Sequence, residues 1–181
     1  DLERLEEISN SLNHDLDIMI RFTPGIECHT HEYIRTGSFD SKFGFGIEYL
    51  NTLFERISNT KYLKLKGIHA HIGSQIFELE PHQDLGEIMV NAILEAKKFG
   101  HDIKNLNVGG GLGIKYTEDD DPPSIYEWVK TVSNSVVKAC EKHNLDLPTL
   151  MCEPGRSIVS TAGITIYKIG AFKEIPGIRT Y

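Results

Sequence analysis

The chain has 181 residues, 40% of them hydrophobic and 25% charged, enough to bury a sizeable core in one or two globular domains. A formal net charge of −7 without a dense basic stripe excludes nucleic acid and an anionic membrane surface as partners and leaves a small molecule as the expected ligand. Cys28, Cys140 and Cys152 are odd in number and lack metal-ligand spacing, which fits a reducing, cytoplasmic setting. No apolar run approaches the roughly 20 residues that cross a bilayer, and no signal peptide is expected from the opening residues.

Leucine and isoleucine at 2, 5, 8 and 12 share one helical face and predict a helix over 1–12, with acidic residues near its start. Residues 16–22 (LDIMIRF) form a short apolar run ended by Pro24-Gly25, a buried strand. A long polar, glycine-bearing loop follows to Gly46, of the length that usually carries function. Helical spacing returns over 47–57, a strand is expected over 63–72, and a helix over 85–99 is closed by Gly100. The next strand is 103–108. Ser124 caps a helix reaching about His143, with Glu127 placed for a capping box, and 147–152 is again a strand.

Strand, loop and helix recur about every 40 residues, which predicts right-handed βαβ crossovers and a parallel sheet. The fold class is therefore α/β, and because a closed eight-stranded barrel takes about 250 residues, the chain is expected to be part of a (β/α)8 barrel or a smaller open sheet. Past Ser157 the pattern changes. Residues 158–162 read as a short helix, and 163–170 alternate like an antiparallel strand. The expected division is residues 1–162 for the barrel part and 163–181 for the start of a β-rich domain.

Three of these strands end in polar clusters, which places one shared site at their ends. Gly109, Gly110 and Gly111 directly follow a strand, where successive N–H groups suit an anion such as phosphate; a bare tight turn has the same composition. His69 and His71 lie two apart on a predicted strand, on one face, and His29 and His31 repeat the His-X-His pattern upstream. Imidazole pairs of this kind hold zinc, yet no acid on the next strand completes a ligand set. His71 equally suits stacking on a planar cofactor, and His69 a hydrogen-bonded structural role. Ser74 sits where its hydroxyl would bind an anion. Glu153, after the apolar Leu150 and Met151, is expected to be partly buried and so to need a partner. Arg156 would either pair with it or point at another part of the same ligand. Arg35 and Lys42 would add positive charge for an acidic substrate, or stand as solvated loop cations.

Five stretches carry a resemblance in their order: His31-Glu32-Tyr33-Ile34-Arg35-Thr36-Gly37, Ser41-Lys42-Phe43-Gly44, His69-Ala70-His71-Ile72-Gly73-Ser74-Gln75-Ile76, Gly109-Gly110-Gly111-Leu112-Gly113-Ile114 and Glu153-Pro154-Gly155-Arg156-Ser157. Together they resemble the pyridoxal 5'-phosphate (PLP) decarboxylases of the alanine-racemase-like barrel fold. The HIGSQ and GGGLGI wording and the YIRTG loop are closer to the diaminopimelate branch than to the arginine and ornithine decarboxylases. By this resemblance His71 would stack on the cofactor ring, Ser74, Gly109, Gly110 and Gly111 would bind its phosphate, Glu153 would face its pyridine nitrogen, and Gly155 would also contact the cofactor. Arg156 would lie near phosphate and substrate. The implied reaction turns meso-2,6-diaminopimelate, an acidic diamino acid, into L-lysine and carbon dioxide in a homodimer.

The resemblance also implies a lysine that bonds the cofactor upstream of Asp1 and substrate residues in a C-terminal β domain. None of the thirteen lysines matches that position, Lys42 and Lys115 included, so this segment is expected to be inactive alone. Two further readings compete: a metal-dependent barrel hydrolase built on the His-X-His pairs, and a non-catalytic PLP-binding protein.

Overall fold

The computed structural model of the protein describes residues 1–26, 43–171, 173–177 and 179–180. Helix α1 (Leu2–Leu12) ends at Asn13, whose φ of 50° places it in the left-handed region that closes helices. Strand β1 (Leu16–Thr23) leads to the short β2 (Phe45–Gly46), a 3-10 turn and α2 (Leu50–Ser58). Then follow β3 (Leu63–His69), α3 (Glu80–Lys98), β4 (Asn105–Asn107), α4 (Ile125–Lys142) and β5 (Thr149–Met151). The strands form one sheet ordered β2-β1-β3-β4-β5 with every pair parallel, as the repeating strand-helix pattern predicts.

Local chemistry sets where the helices begin and stop. The Ser124 hydroxyl accepts the Glu127 N–H at 3.2 Å and the Glu127 carboxylate accepts the Ser124 N–H at 2.8 Å, the reciprocal pair expected at the start of α4. Helix α3 begins at Glu80, earlier than the predicted 85, because Pro81 sits in its first turn, where no N–H is needed. Its end is a Schellman turn: Gly100 at φ 83° donates to the Lys97 carbonyl at 3.1 Å, and His101 donates to Ala96 at 3.2 Å.

The core lies where α2, α3 and α4 meet the sheet and is built from Phe22, Phe54, Ile68, Leu85, Met89, Leu106 and Val136, all buried. Helices α3 and α4 touch closely at Gly86, whose missing side chain leaves room for Ser135. Because the strands are parallel, the residues that follow β3, β4 and β5 emerge along one edge of the sheet, where sites of α/β barrels are built. Among the described residues no helix is long and apolar enough to cross a membrane.

The segment past the sheet differs from expectation. A short helix α5 (Arg156–Val159) with one 3-10 turn (Ser160–Ala162) replaces the predicted 158–162 helix. Residues 163–170 form no strand: alternation makes a strand only where a neighbour pairs with it, and Ile164, Ile166, Tyr167 and Ile169 are each more than four-fifths exposed. Antiparallel pairing appears only farther on, between β6 (Glu174–Ile175) and β7 (Arg179–Thr180).

Candidate functional site

The C-terminal ends of β3, β4 and β5 are joined by backbone hydrogen bonds that continue past the strands. Ala70 donates to the Asn107 carbonyl at 3.0 Å, Val108 to Met151 at 3.0 Å, and Glu153 to Gly109 at 2.7 Å. This stitching brings His71, the triple glycine and Glu153 together. A cavity of about 320 Å³ opens between them, within the range of small-molecule sites, and its wall includes His71, Ser74, Gly110, Gly111, Glu153, Gly155 and Arg156. Gly109 stands one step behind the wall.

The glycines are required by close approach. A Cβ on Gly109, at φ 67°, would lie 2.7 Å from His71 Nδ1 and 2.8 Å from the Ala70 carbonyl oxygen, and a Cβ on Gly110 would overlap the Glu153 carbonyl. Two of their N–H groups are engaged within the protein: Gly109 donates to Asn107 Oδ1 at 2.9 Å and Gly110 to His71 Nδ1 at 3.2 Å. Gly111, at φ 113°, packs on Gly73 and returns its carbonyl to the Ile76 N–H at 2.9 Å. Gln75 clamps the same loop, donating to the Ile114 carbonyl at 2.7 Å and accepting the Ile114 N–H at 3.2 Å.

Strand β3 ends at His69, so His71 lies beyond it, at the loop edge. Burial, then the Arg21 and His69 charges, hold the His71 pKa below the usual imidazole value, against the upward pull of Glu153. His69 is lowered chiefly by burial too, with Glu153 opposing, and its Nε2 is 3.7 Å from Glu153 Oε1. At Nε2 the expected structural hydrogen bond of His69 is not made: that nitrogen is buried with no hydrogen-bond partner.

Glu153 is more open than expected, its side chain 54% exposed, because β5 is an edge strand with all three residues exposed. Asn107 Nδ2 donates to Glu153 Oε1 at 2.8 Å. Arg156 forms no pair with Glu153 among the described residues; it donates to the Tyr116 hydroxyl at 3.0 Å and lies 5.8 Å from the Tyr116 ring centre. The acid and the guanidinium thus face the cavity from different partners.

Sequence reading missed several contributors, among them Tyr116, the partner of Arg156. Ile125, Trp128 and Val129 share one face of the first turns of α4 and form an apolar wall of the cavity, a spacing visible once Ser124 marks the helix start. Asn107 bridges Gly109 and Glu153, and no local pattern announces such a link across 46 positions. The sites expected at His29, His31, Arg35 and Lys42 lie outside the described residues. Lys115 is engaged with Glu118 at 3.2 Å on the surface and takes no part in the cavity wall. Among the described residues no three His, Cys, Asp or Glu side chains converge as metal ligands.

Known proteins resemble this chain in sequence and architecture. The pyridoxal binding domain of the pyridoxal-dependent decarboxylases matches residues 1–160. The diaminopimelate decarboxylase of Synechocystis sp. is 51% identical over 181 residues, all of this chain and 39% of that protein. The Bacillus subtilis diaminopimelate decarboxylase is 40% identical over 180 residues, 98% of this chain and 41% of that protein. Among solved structures, diaminopimelate decarboxylase from Helicobacter pylori complexed with L-lysine superposes with a TM-score of 0.78 at 32% identity, covering 87% of this chain and 38% of that one. The chain spans about two fifths of the length of the curated relatives it matches.

Proposed function

Because the chain belongs to the pyridoxal-dependent decarboxylases through their pyridoxal binding domain, we propose that it supplies much of the cofactor site of a meso-diaminopimelate decarboxylase. One observation carries the reading: His71, Ser74, the glycine turn, Glu153 and Arg156 line a single cavity although they come from three separate strand ends. The names of the relatives, and the L-lysine in the H. pylori structure, support diaminopimelate as substrate and lysine as product. Residues 1–162 are assigned to the barrel and 163–181 to the start of a β domain, a division favoured by the change from parallel to antiparallel pairing. A homodimer is expected from the family resemblance, and a cytoplasmic setting from the free Cys140 and Cys152.

The residues fit the cofactor chemically. Gly109 and Gly110 let the backbone pass close behind His71 and Glu153, where a Cβ would strike His71, Ala70 or the Glu153 carbonyl, and the cavity wall combines a flat imidazole, a carboxylate, a hydroxyl and a guanidinium. When bound, PLP supplies an electron sink for the pair left on carbon as carbon dioxide departs. Glu153, in this reading, holds a proton on the ring nitrogen through its negative charge, which strengthens that sink. His71 would present a neutral face to the ring, and its Nδ1 accepts the Gly110 N–H, which holds the imidazole in place. Ser74, Gly111 and Arg156, which line the same cavity, would hold the phosphate end, where a guanidinium fork suits anionic oxygens. Trp128, Ile125 and Val129 exclude water from one side.

The test is release of carbon dioxide from carboxyl-labelled meso-diaminopimelate by the whole protein, with and without PLP. PLP-dependent release with formation of L-lysine supports the reading. Preference for L-arginine or L-ornithine would move the substrate within the family, and activity that follows added zinc instead of PLP would overturn the proposal.

A further inference from the structure

We propose that Asn107 is a positioning residue of this site, its amide bracing the Gly109 turn with one end and orienting the Glu153 carboxylate with the other. The inference rests on the reading of Glu153 as the group beside the cofactor's ring nitrogen.

Asn107 is the last residue of β4 and only 5% exposed, so its amide must find partners inside the protein. Both ends do. Oδ1 accepts the Gly109 N–H at 2.9 Å, and Nδ2 donates to Glu153 Oε1 at 2.8 Å. Its backbone carbonyl also receives the Ala70 N–H at 3.0 Å, tying the end of β3 to the same residue. The Glu153 backbone is already tied to the Gly109 carbonyl at 2.7 Å, and the Asn107 side chain ties the carboxylate to the same turn.

The half-exposed Glu153 has rotatable bonds that solvent alone would leave unsettled. Among the described residues Asn107 is the side chain that gives it a hydrogen bond; His69 Nε2, at 3.7 Å, is beyond hydrogen-bond reach. An amide suits this task because it orients the carboxylate without a charge of its own, leaving the full negative charge for the ring nitrogen. A lysine or arginine at this position would compete for that charge.

Two substitutions separate the two ends of the brace. Asn107→Leu removes both hydrogen bonds at similar volume. Asn107→Asp keeps the acceptor for Gly109, but it can donate to Glu153 only while protonated, because an ionised carboxylate has no hydrogen to give. The variant should therefore keep its function at low pH and lose it as pH rises.

The experiment uses the whole protein, its N107L, N107D and E153Q variants, PLP titration of the cofactor-free forms, the absorbance of bound PLP, and turnover against pH. N107L is expected to lose roughly tenfold or more in kcat, the scale of a hydrogen bond to a charged group, and to shift the PLP absorbance in the same direction as E153Q. N107D is expected to bind PLP much as the wild type does while its kcat declines with rising pH where the wild type's holds. Wild-type binding together with N107L values equal to wild type, or an N107D profile parallel to wild type, would overturn the brace alone. A wild-type protein that does not bind PLP would overturn the cofactor reading and this inference with it.

Discussion

His71 and Gly110 are joined by a 3.2 Å hydrogen bond in which the ring Nδ1 accepts the backbone N–H. An accepting Nδ1 carries no proton, so the neutral ring bears its hydrogen on Nε2. The same bond makes the glycine turn and the imidazole one unit, so a change in the ring's charge reaches the turn.

Acid should uncouple them. Burial lowers the His71 pKa from its usual 6.5, so the neutral ring predominates at and above that value and the second proton is gained mainly below it. Nitrogen NMR of the labelled whole protein should show Nε2-protonated His71 at pH 7 and a titration midpoint below 6.5. A midpoint above 6.5 would contradict this account of the ring.

Replacing Gly110 with alanine should damage the site without touching the core, because the added Cβ presses on the Glu153 carbonyl across the turn. We expect PLP affinity to fall by roughly tenfold, the outcome of about 1 to 2 kcal/mol of overpacking. Affinity within twofold of wild type would show that the cradle yields.

The His82 ring, 1% exposed, packs edge-on against Trp128 at 5.5 Å between centroids with both nitrogens unpartnered. Burial, with a smaller push from His71, lowers its pKa from 6.5 to about 4. The unfolded chain then binds the proton first: stability is full above pH 6.5 and declines as pH falls toward 4, by on the order of 3 kcal/mol for a shift of this size. His82→Phe removes two orphaned nitrogens and should flatten that acid limb, read as melting temperature against pH. An unchanged slope would place the acid sensitivity elsewhere.

Gly86→Ala tests the contact between α3 and α4. The new methyl would strike Ser135, which also donates to the Gln83 carbonyl, so the helices must part. Destabilisation of about 1–3 kcal/mol is expected, seen as a lower melting temperature with PLP affinity little changed. A melting temperature equal to wild type would show slack in this interface.

Much of the fold could be read from local chemistry. Ser124 with Glu127, and Gly100 after its helix, marked ends that the structure places at Ile125 and Lys98. The parallel sheet followed from the repeating alternation. What failed was non-local. Residues 163–170 have a strand's alternation but no strand partner among the described residues, and the apolar neighbours of Glu153 predict more burial than the edge strand β5 provides. Asn107 and Tyr116 escaped notice for a related reason: their chemistry exists only in contact with Glu153 and Arg156, across distances in sequence that no spacing rule spans.

The central claim is that these three strand ends cradle one PLP molecule, and a crystal structure of the whole protein with PLP tests it most directly. The account predicts the pyridine ring on His71, the ring nitrogen within hydrogen-bond distance of Glu153, and the phosphate among Ser74, the 109–111 turn and Arg156. A cofactor bound elsewhere, or one with its phosphate beside Glu153, would contradict it.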